Sequence, residues 1–172
     1  KQANSVLVRV LEDVSQEPMV RHEAAEALGA IGSPEVIQIL EKYLKDSVVE
    51  VAETCELALE RIKWVQNPDS TKDQLSKNPY KSVDPAPPIN IPDVQKLKTI
   101  LLDENASLFE RYRAMFSLRN SRTNEAVNAL GAGLKCGSAL FRHEIAFVLG
   151  QLQDEASVPY LKESLEDSTE NE

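Results

Sequence analysis

The 172-residue chain carries 28 acidic against 19 basic side chains, a net charge of −9 whose field opposes nucleic acid and anionic membrane surfaces and favours a cationic partner. Apolar residues make up 42% and aromatic residues only 5%, with 6 glycines, a balance that favours helices and comes close to excluding an all-β fold. Cys55 and Cys136 form no CxxC pair, no signal peptide opens the chain, and no apolar run approaches the roughly 20 residues of a membrane span, so a soluble protein of the reducing cytoplasm is expected.

In chain order, helices are predicted at 3–13, 19–31, 34–45 and 48–64. Ser33-Pro34 reads as an N-cap followed by proline at the first helical position, and Gly32 before it ends the preceding helix. From Gln66 to Asn90 the pattern breaks. Asn67-Pro68, Asn78-Pro79 and Asp84-Pro85-Ala86-Pro87-Pro88 cannot continue a helix and are expected as an extended, polyproline-like spacer. Pro85 and Pro88 also have the spacing of an SH3-type ligand, although composition alone accounts for them as a spacer. Five more helices are predicted at 92–103, 107–119, 123–135, 139–152 and 155–166. The expected organisation is an arm over residues 1–65, a Pro-rich linker over 66–91 and a second arm over 92–172. Helix 3–13 lacks a hairpin partner and the acidic stretch 166–172 carries no cap, so a further repeat is expected beyond each end.

Self-comparison explains the spacing of these helices. Val20-Arg21-His22-Glu23-Ala24-Ala25-Glu26-Ala27-Leu28-Gly29 registers without a gap on Phe141-Arg142-His143-Glu144-Ile145-Ala146-Phe147-Val148-Leu149-Gly150. Diverged copies lie about 31 residues after the first, at Val51-Ala52-Glu53-Thr54-Cys55, and about 31 before the second, at Arg111-Tyr112-Arg113-Ala114. Each unit is a pair of helices too short to be stable alone, so neighbouring pairs must stack: the chain is expected to be an all-α solenoid.

Both histidines of the chain fall in these Arg-His-Glu segments. On a helical wheel with Val20 at zero, Ala24, Ala27, Leu28 and Ile31 lie within about 80° and define the expected core stripe. His22 falls on the opposite side, and His143 does the same on its own helix, so neither is expected in the core. Small residues flank each imidazole, Ala25 and Gly29 in one copy and Ala146 and Gly150 in the other, and would leave room for a pocket or serve a packing contact. Imidazole and carboxylate together are a ligand set for iron, zinc or manganese. The plainer reading is an exposed histidine beside a glutamate that pairs with Arg21 or Arg142.

Glu17-Pro18-Met19-Val20-Arg21-His22-Glu23, Ser82-Val83-Asp84-Pro85-Ala86-Pro87-Pro88, Phe109-Glu110-Arg111-Tyr112-Arg113-Ala114-Met115-Phe116 and Leu140-Phe141-Arg142-His143-Glu144 closely resemble the deoxyhypusine hydroxylase family, along nearly the whole chain. The resemblance implies HEAT-like helical hairpin repeats in two arms and an O2-dependent di-iron monooxygenase. Its substrate would be the deoxyhypusine side chain of the hypusine-containing translation initiation factor. It also implies two Fe(2+) per complete site, held by four His-Glu pairs, of which this chain carries the two inner ones. His22, Glu23, His143 and Glu144 are thereby metal-ligand candidates, and Glu144 is alternatively a substrate-binding residue. The two outer pairs fall outside these residues, which points to a portion of the enzyme or to a homo-oligomer that completes the site. Tyr112 and Arg113, and Glu53 and Thr54, stand at the His-Glu positions of the diverged repeats and are expected to pack without ligating, although Tyr112 could line a groove.

No phosphate-binding glycine loop, HExxH, G-x-S-x-G or metal-spaced cysteine set is present, and no catalytic residue is singled out beyond the metal candidates. Nucleic acid and membranes are not expected partners. The alternative is a non-catalytic repeat scaffold that holds a protein, peptide or pigment in its concave groove. Met19 and Met115 are expected at helix starts or on apolar faces, with core packing as the default.

Overall fold

The computed structural model describes residues 2–67, 75 and 77–170. Pro68 of the expected Asn67-Pro68 break and the last two residues of the acidic tail lie outside them. Among the described residues there are nine α-helices and no strand: α1 (Gln2–Glu12), α2 (Pro18–Ile31), α3 (Ile37–Tyr43), α4 (Val49–Gln66), α5 (Val94–Leu102), α6 (Leu108–Ser121), α7 (Asn124–Gly133), α8 (Ala139–Leu152) and α9 (Val158–Glu166). The all-α repeat architecture read from the sequence is thus present. Short 3-10 turns, Pro34–Val36 and Glu155–Ser157, lead into α3 and α9.

The helix ends follow from local chemistry. Pro18 opens α2 where its missing N–H has no intrahelical partner in any case, and Gly32 closes it at φ 71°, returning its N–H to the Leu28 carbonyl. Side-chain oxygens of Asp93, Ser107, Thr123 and Ser138 accept backbone N–H groups at the starts of α5, α6, α7 and α8. Arg122 and Gln153, both at φ 53°, take the left-handed position after α6 and α8.

The chain divides into two compact units, Lys1–Asp73 with Val83–Pro87, and Gln74–Ser82 with Pro88–Glu172. In the first, α2 is the central helix, packed on α1 and most extensively on α4, while α3 lies on α4. Leu11, Leu28, Leu40, Val51, Cys55 and Ile62 form its core and are fully buried. In the second, α5, α6 and α7 pack on one another and α8 lies on α6 and α7. Leu101, Met115, Leu118, Val127, Phe141, Ile145 and Leu149 fill its interior. Each such side chain contributes roughly 1.5–3 kcal/mol on burial, which stabilises helices that would not form alone.

Described residues of the proline-rich stretch, Tyr80, Asp84 and Ala86, are packed against the helices of their own units. In the first unit Ala86 is fully buried and the Asp84 carbonyl accepts a hydrogen bond from Arg61 Nε at 3.1 Å. In the second, the Tyr80 ring lies 4.8 Å from the guanidinium carbon of fully buried Arg119, which also packs on Phe116. Of the two methionines, Met115 is buried as expected, whereas Met19 is 46% exposed at the solvent-facing start of α2.

Candidate functional site

The arginine that precedes each histidine is a clasp. Arg21 Nε donates to the Leu11 carbonyl at 2.9 Å and its terminal nitrogens grip Asp46, the closer at 2.5 Å. Arg111, at the matching position of α6, donates to the Leu101 carbonyl at 2.9 Å. Each arginine thus closes the last turn of the helix before its own, ten residues upstream, where carbonyls lack intrahelical partners. Arg142 holds the Gly137 carbonyl at 2.7 Å and Glu170 at 2.5 Å. The arginines therefore pair with Asp46 and Glu170, not with the adjacent Glu23 and Glu144 that the plainer reading of the motif would have used.

His22 is buried, 4% exposed, which overturns its expected place on an open face. The wheel assigned α2 a single core stripe, but α2 is covered on two sides, by α1 and by α4. Val20 and Ile31, placed on that stripe, are instead 43% and 49% exposed. Ala25 and Gly29 do not leave a pocket beside the imidazole: Ala25 is fully buried, and a Cβ at Gly29 would lie 2.8 Å from the Cα of Ala58 on α4. The small residues are the seat of α4. Thr54, Ala58 and Arg61 follow one stripe of α4 and meet His22 and Gly29 of α2 in turn.

Hydrogen bonding places a proton on Nδ1 of the His22 ring. Thr54 Oγ1 lies 2.7 Å from the Glu50 carbonyl one turn back on α4 and 2.6 Å from His22 Nδ1. A carbonyl only accepts, so the single hydroxyl proton points to Glu50, and Thr54 must accept from Nδ1–H. In the neutral form such a ring carries its lone pair on Nε2, the nitrogen that faces Glu23 Oε1 at 3.8 Å, beyond hydrogen-bond reach. The Glu23 side chain is 70% exposed. One turn on, burial, with Glu23 and Asp84 nearby, pushes the Glu26 carboxyl above its ordinary value.

The second pair is reversed: His143 is exposed and Glu144 buried, 9% exposed. The motif is the same but the neighbours differ. α8 packs on α6 and α7, and among the described residues no helix lies on α8 as α4 lies on α2. A Cβ at Gly150, the counterpart of Gly29, would meet nothing within 4 Å. Tyr112 of α6 takes the place of His22 under α8; it is 1% exposed and tilts against Phe116 and Phe141, with ring centroids 6.3 and 5.8 Å away. Tyr112 packs, as expected of that repeat.

Each unit thus carries an imidazole and a carboxylate, a donor set that suits a divalent first-row metal, and a neutral His22 with its proton on Nδ1 is the tautomer that ligates through Nε2. Among the described residues no three His, Cys, Asp or Glu side chains gather as a metal cluster. The chemistry of both pairs suits part of a ligand set, and in the first His22 Nε2 faces Glu23 Oε1. Thr54 was passed over in sequence because it stands where a repeat has lost its carboxylate; the signal that could have found it is its register one repeat after Glu23.

Family models for HEAT repeats match residues 1–60, and for PBS lyase HEAT-like repeats residues 110–136 and 141–167. The chain is 60% identical to deoxyhypusine hydroxylase of Drosophila melanogaster, over 99% of its own length and 56% of the relative's. It is 61% identical to that of Danio rerio and 59% to that of Homo sapiens, in each case over 96% of this chain and 54% of the relative. The solved structure of human deoxyhypusine hydroxylase in complex with glycerol matches with a TM-score of 0.91 at 58% identity, covering 99% of this chain and 58% of that one. The chain therefore spans a little over half the length of the curated relatives it matches. By sequence and by fold it is homologous to that stretch of the deoxyhypusine hydroxylases, an all-α array of HEAT-like repeats.

Proposed function

We propose that this chain is the part of a deoxyhypusine hydroxylase that carries two of its His-Glu pairs, and that it serves the hydroxylation of the deoxyhypusine side chain on the hypusine-containing translation initiation factor, in the cytoplasm. The observation that carries the reading is the His22 ring, held by Thr54 with its Nε2 lone pair beside the Glu23 carboxylate. An acceptor nitrogen and a carboxylate that face each other at 3.8 Å are drawn together by a cation shared between them, as a metal ion would be. The relatives named as hydroxylases support the same conclusion and give the scaffold alternative no support.

His22 and Glu23 in one unit, and His143 and Glu144 in the other, each supply part of the ligand set of one of two Fe(2+) ions. Iron bound there would supply the redox chemistry that activates O2. The chain's own residues hold the ligands in place: the Arg21 clasp anchors the start of α2, and the Gly29–Ala58 contact fixes the separation of α2 from α4. Glu144, a buried carboxylate, would either complete the metal set or receive the cationic amine of the substrate. The net charge of −9 favours approach of that polyamine-extended side chain.

The test is anaerobic loading of the chain with Fe(II), followed by metal analysis after desalting. The expected result is retained iron that falls in His22→Ala and in His143→Ala while helicity is kept. Iron bound equally by wild type, His22→Ala and His143→Ala would overturn the ligand assignment.

A further inference from the structure

Thr54 lies on α4, a full repeat away from the His-Glu motif, and ligates nothing itself. It is 2% exposed and its hydroxyl is committed on both sides, donating to the Glu50 carbonyl at 2.7 Å and accepting from His22 Nδ1 at 2.6 Å. As a β-branched residue in a helix it holds few rotamers, and the bond back to Glu50 selects one of them. The acceptor lone pair is therefore aimed before any ligand arrives. α4 itself cannot slide along α2, because Ala58 is in backbone contact with Gly29 one turn further on and Arg61 Nη1 donates to the Gly29 carbonyl at 3.1 Å.

We propose that Thr54 is the positioning residue of His22: through Nδ1–H it selects the tautomer and the ring orientation that present Nε2, beside Glu23, as a metal ligand. The proposal rests on the metal reading of the His-Glu pair. It adds a residue that the motif does not contain, and it makes the stacking of one repeat on the next part of the ligand chemistry. Valine in place of Thr54 keeps the shape and removes the acceptor. The Nδ1 proton then has no partner at that position, so the ring gives up either its tautomer or its orientation. Serine keeps the hydroxyl and the i−4 acceptor.

The test uses the metal-free chain labelled with 15N at histidine, with two-bond proton–nitrogen correlation spectra at about pH 8, above the ordinary imidazole range. His22 is assigned by its absence in His22→Ala. Wild type is expected to give the pattern of an Nδ1-protonated ring, Thr54→Val to lose it and Thr54→Ser to restore it. Fe(II) affinity, measured anaerobically on the same three proteins, is expected to drop 10- to 100-fold in Thr54→Val and to recover in Thr54→Ser, the range typical of losing an outer-shell partner. A role in packing alone predicts lower stability of Thr54→Val with an unchanged tautomer and unchanged affinity, and that result overturns the proposal. A tautomer that moves without a change in affinity overturns the ligand-positioning role. A wild-type chain that shows the Nδ1-protonated ring, dependent on Thr54, but whose Fe(II) affinity is untouched by His22→Ala overturns the metal reading and leaves the selection of the tautomer standing. Should Thr54→Val fail to fold, Thr54→Ala is read by the same two measurements.

Discussion

Gly29 and Ala58 hold α2 and α4 in backbone contact: a Cβ on the glycine would lie 2.8 Å from both the Cα and the Cβ of the alanine. Nothing flexible stands in that contact, so the helices must separate to admit a methyl group, and overpacking of this kind costs about 1–3 kcal/mol. Gly29→Ala is therefore expected to destabilise the first unit despite the better helix propensity of alanine. Gly150, at the same repeat position on α8, has nothing within 4 Å of its would-be Cβ. Gly150→Ala is expected to be neutral or to stabilise by up to about 0.5–1 kcal/mol through backbone entropy. Urea denaturation checks both. Trp64, the only tryptophan, reports on the first unit by fluorescence and helical circular dichroism reports on the whole chain. Equal effects of the two substitutions would contradict the difference in how α2 and α8 are covered.

The Arg21–Asp46 pair, 4% and 6% exposed at the side chains, makes the first unit sensitive to acid. Hydrogen bonds from the Arg21 guanidinium, with a further one from the Val48 backbone, hold the Asp46 carboxyl below its ordinary 3.8 against the cost of burial. A depressed pKa in the folded state means stability that is complete above the unfolded value and is lost as pH falls through the folded one. Asp46 thus contributes fully above about pH 4 and less and less below it. Glu26 and Glu56, raised by burial, act in the opposite sense as they take up protons. The comparison of wild type with Asp46→Ala isolates the pair. The variant is expected to lose about 3 kcal/mol near neutral pH, because a buried guanidinium is left without its counter-ion. That loss should shrink toward pH 3 in urea titrations read by Trp64.

The two thiols should react very differently. Cys55 is fully buried in the first core, and burial pushes its thiol up to about 12, so almost no thiolate forms in the folded chain. Cys136 is half-buried at the turn between α7 and α8. A chromogenic disulfide reagent at about pH 8 is expected to modify Cys136 first in the native chain and Cys55 only after unfolding. Two fast thiols in the native protein would show that α4 is not seated as described.

All nine helices lie close to where the sequence placed them, because a helical hairpin repeat encodes itself locally: apolar periodicity, an N-cap such as Ser107 or Ser138, a stop such as Gly32. What the wheel could not see was the number of neighbours. His22 and His143 have the same local sequence, yet the first is buried under α4 and the second exposed, since burial depends on which helix comes next in the stack. The stripe of Ala25 and Gly29 was visible in the sequence, but small residues mark an empty space and a close helix equally well. The role of Thr54 was hidden for a related reason, being a contact between repeats that motif reading treats one at a time.

Tyr112 makes the same point on the other unit, where a repeat has an aromatic ring in place of the imidazole. It is 1% exposed, lies under α8, and packs its ring against Phe116 and Phe141 at centroid distances of 6.3 and 5.8 Å. Truncating a buried aromatic of this size removes its transfer energy and leaves a cavity between two helices, together about 3–5 kcal/mol. Tyr112→Ala is therefore expected to lower strongly the unfolding midpoint followed by helical circular dichroism. Tyr112→Phe keeps the ring and should cost no more than about 1.5 kcal/mol, the worth of one hydrogen bond. A large loss of Fe(II) binding in Tyr112→Phe, with stability kept, would mean that this position had retained the ligand role of His22 rather than the packing role argued from its burial.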